Sequence, residues 1–138
     1  MLINVYTDGG SRGNPGVSGY GLVIYDDQNK PLYQEEKFLG IKTNNEAEYS
    51  GIIAALEWVK KHQTLYRISQ VNFFADSQLM IRQLQGIYKV KAPTLLPLFA
   101  QVQQLLTQIN LPIKYTHVRR EFNKLADQLA NQAMDNRF

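Results

Sequence analysis

The stretch Thr43-Asn44-Asn45-Glu46-Ala47-Glu48-Tyr49-Ser50-Gly51-Ile52-Ile53-Ala54-Ala55-Leu56-Glu57-Trp58-Val59 marks a change of period in the chain. Before it, short β-favouring runs such as Leu2-Ile3-Asn4-Val5-Tyr6 are separated by turn residues. Within it, Tyr49, Ile52, Ile53, Leu56 and Val59 fall on one face of a helix. Thr43, followed three residues later by Glu46, fits a capping box and sets the helix start. The spacing predicts a helix over residues 43–61.

Toward the N-terminus, residues 2–7 read as a strand ending at Asp8, residues 20–25 as a second strand and residues 32–39 as a third. Residues 9–19 are dense in Gly, Asn, Pro and Ser and read as a loop, and residues 26–30 as a turn. Toward the C-terminus, residues 70–75 give a short strand ending at Asp76. Residues 77–84 follow as a short helix with Asp76 or Ser77 as its N-cap. After Gly86 comes a basic connector, Tyr88-Lys89-Val90-Lys91, closed by Pro93. Residues 95–109 read as a helix, 113–118 as a last strand and 123–134 as a closing helix capped by Asn123. The order β-β-β-α-β-α-α-β-α defines an α/β fold. A meander followed by crossover units implies one five-stranded mixed sheet, part antiparallel and part parallel, flanked by helices. No repeat or internal boundary is visible, so residues 1–138 are expected to form a single domain.

Hydrophobic residues make up 44% and charged residues 20%, the balance of a soluble globular chain rather than a disordered one. The absence of Cys excludes a disulfide framework and a thiolate metal site. The N-terminus enters a strand pattern at once, and no apolar run approaches about 18 residues. A cytoplasmic protein without a membrane segment is therefore expected. The net charge is only +3, but Arg82, Lys89, Lys91, Lys114, Arg119, Arg120 and Lys124 cluster in the later half. Facing one groove, they would attract a polyanion. Spread over a solvated surface, they would carry no function.

Asp8, Glu48, Asp76 and Asp127 each sit where an apolar run meets a turn or a helix start. Each has a plain structural reading. Asp8-Gly9 can begin a turn, Asp76 can be an N-cap worth about 1 kcal/mol, and Glu48 and Asp127 can answer a helix dipole. Together those readings weaken, because the expected topology brings two strand ends and two helix starts to one sheet edge. Like charges so placed repel unless a cation neutralises them. Carboxylate oxygens suit Mg²⁺. Two such ions roughly 4 Å apart can activate a water and stabilise the leaving oxygen of a phosphodiester. A Gly-x-Ser-x-Gly elbow, a Gly-x-x-x-x-Gly-Lys loop and a His-Glu-x-x-His motif are all missing from the sequence.

At these residues the chain resembles the ribonuclease H type 1 family, over nearly its full length. Thr7-Asp8-Gly9-Gly10-Ser11, Gly13-Asn14-Pro15-Gly16 and Gly19-Tyr20-Gly21 resemble the family's opening strand, loop and second strand. Thr43-Asn44-Asn45 with Ala47-Glu48 resembles its first-helix motif, and Asp76-Ser77-Gln78 its fourth-strand motif. Asn123 through Asp127, continuing into Leu129-Ala130, resembles its final-helix motif.

The resemblance implies the ribonuclease H-like fold and a divalent-metal-dependent endoribonuclease. Such an enzyme cuts the RNA strand of RNA–DNA hybrids and leaves 5′-phosphate and 3′-hydroxyl ends. It implies that Asp8, Glu48, Asp76 and Asp127 hold two Mg²⁺ or Mn²⁺ ions and carry catalysis. Glu46 falls on a variable position and keeps its capping role. Gly9, Gly10, Asn14, Asn44 and Asn45 would sense the RNA 2′-hydroxyls, the glycines by letting backbone approach closely. Gln78, Lys89, Lys91, Arg119, Arg120 and Asn123 complete the candidate substrate contacts. The expected partner is an RNA–DNA hybrid, with double-stranded RNA as a possible second substrate, and the expected state is a monomer.

Two features depart from the family pattern. Many members carry a long basic, Trp-containing protrusion; here only residues 86–93 stand in its place, with Lys89 and Lys91 as charges. The loop Arg119-Arg120-Glu121-Phe122 is short and lacks the family's mobile His. His117 reads as part of the last strand, and Arg119 or Arg120 as a phosphate contact instead. Trp58 is expected to pack within its helix and His62 to answer the helix dipole. These departures define a rival: a non-catalytic hybrid-binding module of the same fold, which would bind without turnover. An integrase-like or exonuclease relative is opposed by the paired asparagines and the first-loop glycines.

Overall fold

A computed structural model describes residues 1–137. It begins with a long hairpin. β1 (Leu2–Arg12) and β2 (Gly16–Tyr25) pair antiparallel from Asn4↔Tyr25 to Arg12↔Val17. The loop expected over residues 9–19 is therefore mostly strand, and Gly13, Asn14 and Pro15 alone turn the chain. β3 (Pro31–Lys42) pairs antiparallel with β2 and outruns the expected strand, because its last residues meet the early part of β2 at Gly16↔Lys42.

α1 (Asn44–His62) starts at the expected capping box. Thr43 Oγ1 accepts from the Glu46 N–H and the Glu46 carboxylate accepts from the Thr43 N–H, both at 3.1 Å. β4 (Gln70–Ala75) lies parallel to β1. α2 (Gln78–Leu84) is capped by Ser77 rather than Asp76, through the Met80 N–H. α3 (Leu96–Ile109) leads to β5 (Ile113–His117), parallel to β4. A 3₁₀ turn at Arg120–Phe122, which the sequence reading lacked, joins β5 to α4 (Lys124–Asn136). The sheet order is β3-β2-β1-β4-β5, the mixed five-stranded sheet expected.

One face of the sheet carries the main core. Ile3, Val5, Leu22, Ile24, Val71 and Phe73 pack against Tyr49, Ile52, Leu56 and Val59 of α1, with Val102 and Ile109 of α3 behind. Trp58 is buried as expected, stacked on His62 with ring centroids 4.4 Å apart. His62 closes α1, with its Nδ1 2.8 Å from the Trp58 carbonyl oxygen. α4 covers the opposite face with Ala126, Leu129, Ala130 and Ala133.

Two glycines set how closely the helices approach the sheet. A Cβ on Gly21 would lie 2.3 Å from the Ala126 carbonyl oxygen and 2.6 Å from Leu129 Cβ. A Cβ on Gly9 would lie 2.5 Å from the Ala47 carbonyl carbon. Gly9 thus admits α1 on one face and Gly21 admits α4 on the other. Glycine inside a strand often marks such an approach.

The obstacle at Gly21 is backbone, which cannot rotate away. Gly21→Ala should lift the start of α4 and cost about 1–3 kcal/mol by overpacking. Thermal unfolding measures it, and an unchanged midpoint would contradict the close approach.

Candidate active site

β1 and β4 pair only from Leu2↔Gln70 to Tyr6↔Phe74. Beyond Tyr6 the strands part: β1 runs on beside β2, while β4 ends at Ala75 and the chain turns into α2. Asp8 lies in the fork. It is not at the end of its strand, as the sequence suggested, but just past the end of its parallel pairing. Asp76 is the first residue after β4, and Glu48 enters from the early turns of α1 across Gly9. Asp127, in the first turn of α4, comes from the other face across Gly21, the residue paired with Asp8.

The result is a carboxylate cluster. Asp8, Glu48 and Asp76 each offer an oxygen within 4.8 Å of the others, and Asp127 lines the same groove. The groove has a volume of about 550 Å³. Gly9, Gly10, Asn44 and Arg120 also line it, together with Ser11, Arg12, Asn131 and Met134, which the sequence reading did not single out.

Burial and mutual repulsion govern the charges. The Asp8 carboxyl is pushed up to about 8, first by burial, then by Asp76, by a hydrogen bond and charge from Asp127, and by Glu48. Glu48 is pushed up to about 7, chiefly by burial; the Ser77 hydroxyl pulls it down and Asp76 pushes it further up. Glu48 Oε2 is buried without a hydrogen-bond donor among the described residues. Crowded oxygen donors with an orphaned buried oxygen fit a hard divalent cation, which would satisfy both conditions at once.

The other expected residues divide. Asn14 Oδ1 accepts from the Asn44 N–H at 3.1 Å, and Asn44 Oδ1 accepts from the Ser11 N–H at 2.7 Å, so these side chains tie the hairpin turn to the start of α1. Asn45, Gln78, Lys89, Lys91 and Arg119 do not line the carboxylate groove. Arg119 sits 3.7 Å from Glu121 in an exposed pair. His117 does not line the groove either; its Nε2 is 3.1 Å from the Asp76 carbonyl oxygen, a structural contact as expected of a strand residue.

Asn123 differs from expectation. It precedes α4, but its side chain makes no capping bond. Instead its Nδ2 donates to the Thr7 carbonyl at 2.9 Å and toward Asp76 Oδ2 at 3.4 Å. Thr7 lies where β1 leaves β4, so Asn123 occupies a carbonyl that the parallel ladder has released. At 2% exposure it is a buried clip across the fork, not an open substrate contact. Asn131 was missed although it stands one helical turn after Asp127, a spacing that places two side chains side by side. Its Nδ2 donates to the Asp127 carbonyl at 3.0 Å and toward Asp127 Oδ1 at 3.4 Å.

A mixed sheet forked over gathered carboxylates defines a ribonuclease H-like protein. The chain belongs to the ribonuclease H type 1 family: the family described as reverse transcriptase-like matches residues 6–133. Ribonuclease H of Ruthia magnifica subsp. Calyptogena magnifica is 31% identical over 96% of this chain and 95% of its own. The chain is 42% identical to the bifunctional protein Rv2228c of Mycobacterium tuberculosis, of which it spans 36% of the length. Among solved structures, LC11-RNase H1 in complex with RNA/DNA hybrid superposes with a TM-score of 0.91 at 40% identity, covering 97% of both chains. RNase H1 of Halobacterium salinarum gives 0.88 at 34% identity, covering 99% of both.

Without a divalent ion, the native state keeps protons on Asp8 and Glu48 that the unfolded chain gives up above their ordinary values of 3.8 and 4.5. Stability of the metal-free protein should therefore fall as pH rises from about 4 to about 8. Asp8→Asn should flatten the fall, and added Mg²⁺ should reverse it at pH 8. Urea unfolding in EDTA across this window measures the slope; stability that stays level or rises would contradict the cluster's electrostatics.

Proposed function

We propose that residues 1–138 act as a single monomeric ribonuclease H domain in the cytoplasm. The domain cuts the RNA strand of RNA–DNA hybrids and leaves 5′-phosphate and 3′-hydroxyl ends. The observation that carries this is the meeting of Asp8, Glu48 and Asp76, from three separate elements, within 4.8 Å. Relatives named ribonuclease H and the hybrid complex of LC11-RNase H1 support the substrate class.

Asp8, Glu48, Asp76 and Asp127 would hold Mg²⁺ or Mn²⁺, with two ions as the proposed number. Bound there, the ions supply an activated water and neutralise charge on the leaving oxygen. The chain's own residues do the rest. Gly9 and Gly10 line the groove wall with half-buried backbone, beside Asn44 and the Asn14 that braces it. That arrangement suits reading of 2′-hydroxyls in a wide minor groove. Arg120 faces the same groove and suits a phosphate. Asn123 holds the fork rigid from behind, with Thr7 and Asp76 as its partners.

The test is cleavage of an end-labelled RNA–DNA hybrid in Mg²⁺ and in Mn²⁺, with an RNA–RNA duplex alongside. Internal cuts in the RNA strand are expected, and Asp76→Asn should abolish them while leaving the thermal unfolding of the protein cooperative. Cuts in the RNA–RNA duplex would widen the substrate class. Intact RNA on a hybrid that remains bound would overturn catalysis in favour of a binding module.

A further inference from the structure

Arg12 ends β1 at the tip of the first hairpin, and no expectation from the sequence used it. Its Nη1 is 2.6 Å from Asp135 Oδ1, near the end of α4. Its Nη2 lies 3.4 Å from the Asn131 carbonyl oxygen and 3.5 Å from Asn131 Oδ1. Asn131 in turn donates to Asp127, so the guanidinium stands two contacts away from the carboxylate cluster. Arg12 lines the carboxylate groove, whereas Asp135 does not.

We propose that Arg12 is a phosphate anchor for the nucleic-acid backbone, held ready by Asp135 in the free protein and surrendered to the substrate on binding. The inference rests on the groove being a nucleic-acid site. Four carboxylates and two arginines, Arg12 and Arg120, are the charged residues that line it. A polyanion entering such a groove meets repulsion wherever its phosphates lie away from bound cations. The arginines mark where flanking phosphates can rest.

Arg12 is suited to that exchange. The side chains of Arg12 and Asp135 are 46% and 61% exposed, and an ion pair so open to water is weakly held. A phosphate offers the guanidinium fork paired oxygens, as a carboxylate does. Its neutralisation by Arg12 also releases counterions condensed on the nucleic acid, which pairing with Asp135 does not. The plain alternative is a staple pinning the hairpin to α4. That helix is already fixed by the close approach at Gly21 and by the buried Leu129, Ala130 and Ala133, so a surface staple adds little.

Binding and cleavage of one mixed-sequence hybrid, measured from about 50 to about 200 mM salt, separate the two. Arg12→Ala should raise Kd and KM about three- to tenfold with kcat unchanged, and make the log–log salt slope shallower by about one. Arg12→Lys should restore the slope. Asp135→Asn should leave binding unchanged or tighter. A staple predicts instead that Asp135→Asn weakens binding as much as Arg12→Ala and lowers the melting temperature alike, which would overturn the proposal. So would an unchanged Kd and slope in Arg12→Ala, or a loss confined to kcat. Wild type that binds hybrid without cutting it would overturn the nuclease while the slope still decides Arg12. Wild type that does not bind would overturn both.

Discussion

Four carboxylates cannot share one groove unless something forces them together, and here backbone contact does. Gly9 lets α1 rest on one face of β1 beside Asp8, and Gly21 lets α4 rest on the other. The helices bring Glu48 and Asp127 with them. β4, ending where its pairing with β1 stops, adds Asp76. The apolar core beneath α1 and α3 holds this arrangement against its own repulsion, which is largest at Asp8 because Asp8 is both buried and surrounded. The same repulsion draws a cation.

The fork between β1 and β4 explains why the polar residues around the cluster differ in kind. In front of it lie groups that can meet a ligand: the half-buried Gly9 and Gly10 backbone and the exposed Asn44, Arg120 and Arg12. Behind it lies Asn123, buried, filling the hydrogen-bonding need of a carbonyl that the parallel ladder abandons at Thr7. An unpaired buried carbonyl costs as much as a lost hydrogen bond. Asn123 therefore serves the fold and the site at once, because the carbonyl it satisfies and the Asp76 it touches both border the fork.

Much of this was legible in the sequence. The capping box at Thr43 and Glu46, the packing role of Trp58 and the strand and helix order follow from local chemistry and period. The four carboxylates stand at strand ends and helix starts and are singled out as a set by the family resemblance. The misreadings share one cause. Gly9, Gly10, Gly16 and Gly19 read as loop residues because glycine is the local signal for a turn. Gly9, like Gly21 in the second strand, serves helix approach within a long hairpin, which only tertiary contact reveals. Asn123 reads as a cap because the Thr7 carbonyl, 116 residues away, is invisible locally. Arg12 was hidden by the same error, since a residue placed in a loop has no direction. Lys89, Lys91 and Gln78 carry a fitting charge or motif but do not line the carboxylate groove, and nothing in their spacing fixes distance.

The central claim is that the crowded carboxylates form a cation site whose protons give way to metal. Calorimetric titration of the protein with Mn²⁺ at pH 7, repeated in buffers of different ionisation enthalpy, counts the protons released as metal binds. Saturable binding with net proton release, reduced in Asp8→Asn, is the predicted result, because Asp8 and Glu48 are held high enough to keep protons at that pH. No saturable binding, or binding that releases no protons, would contradict it.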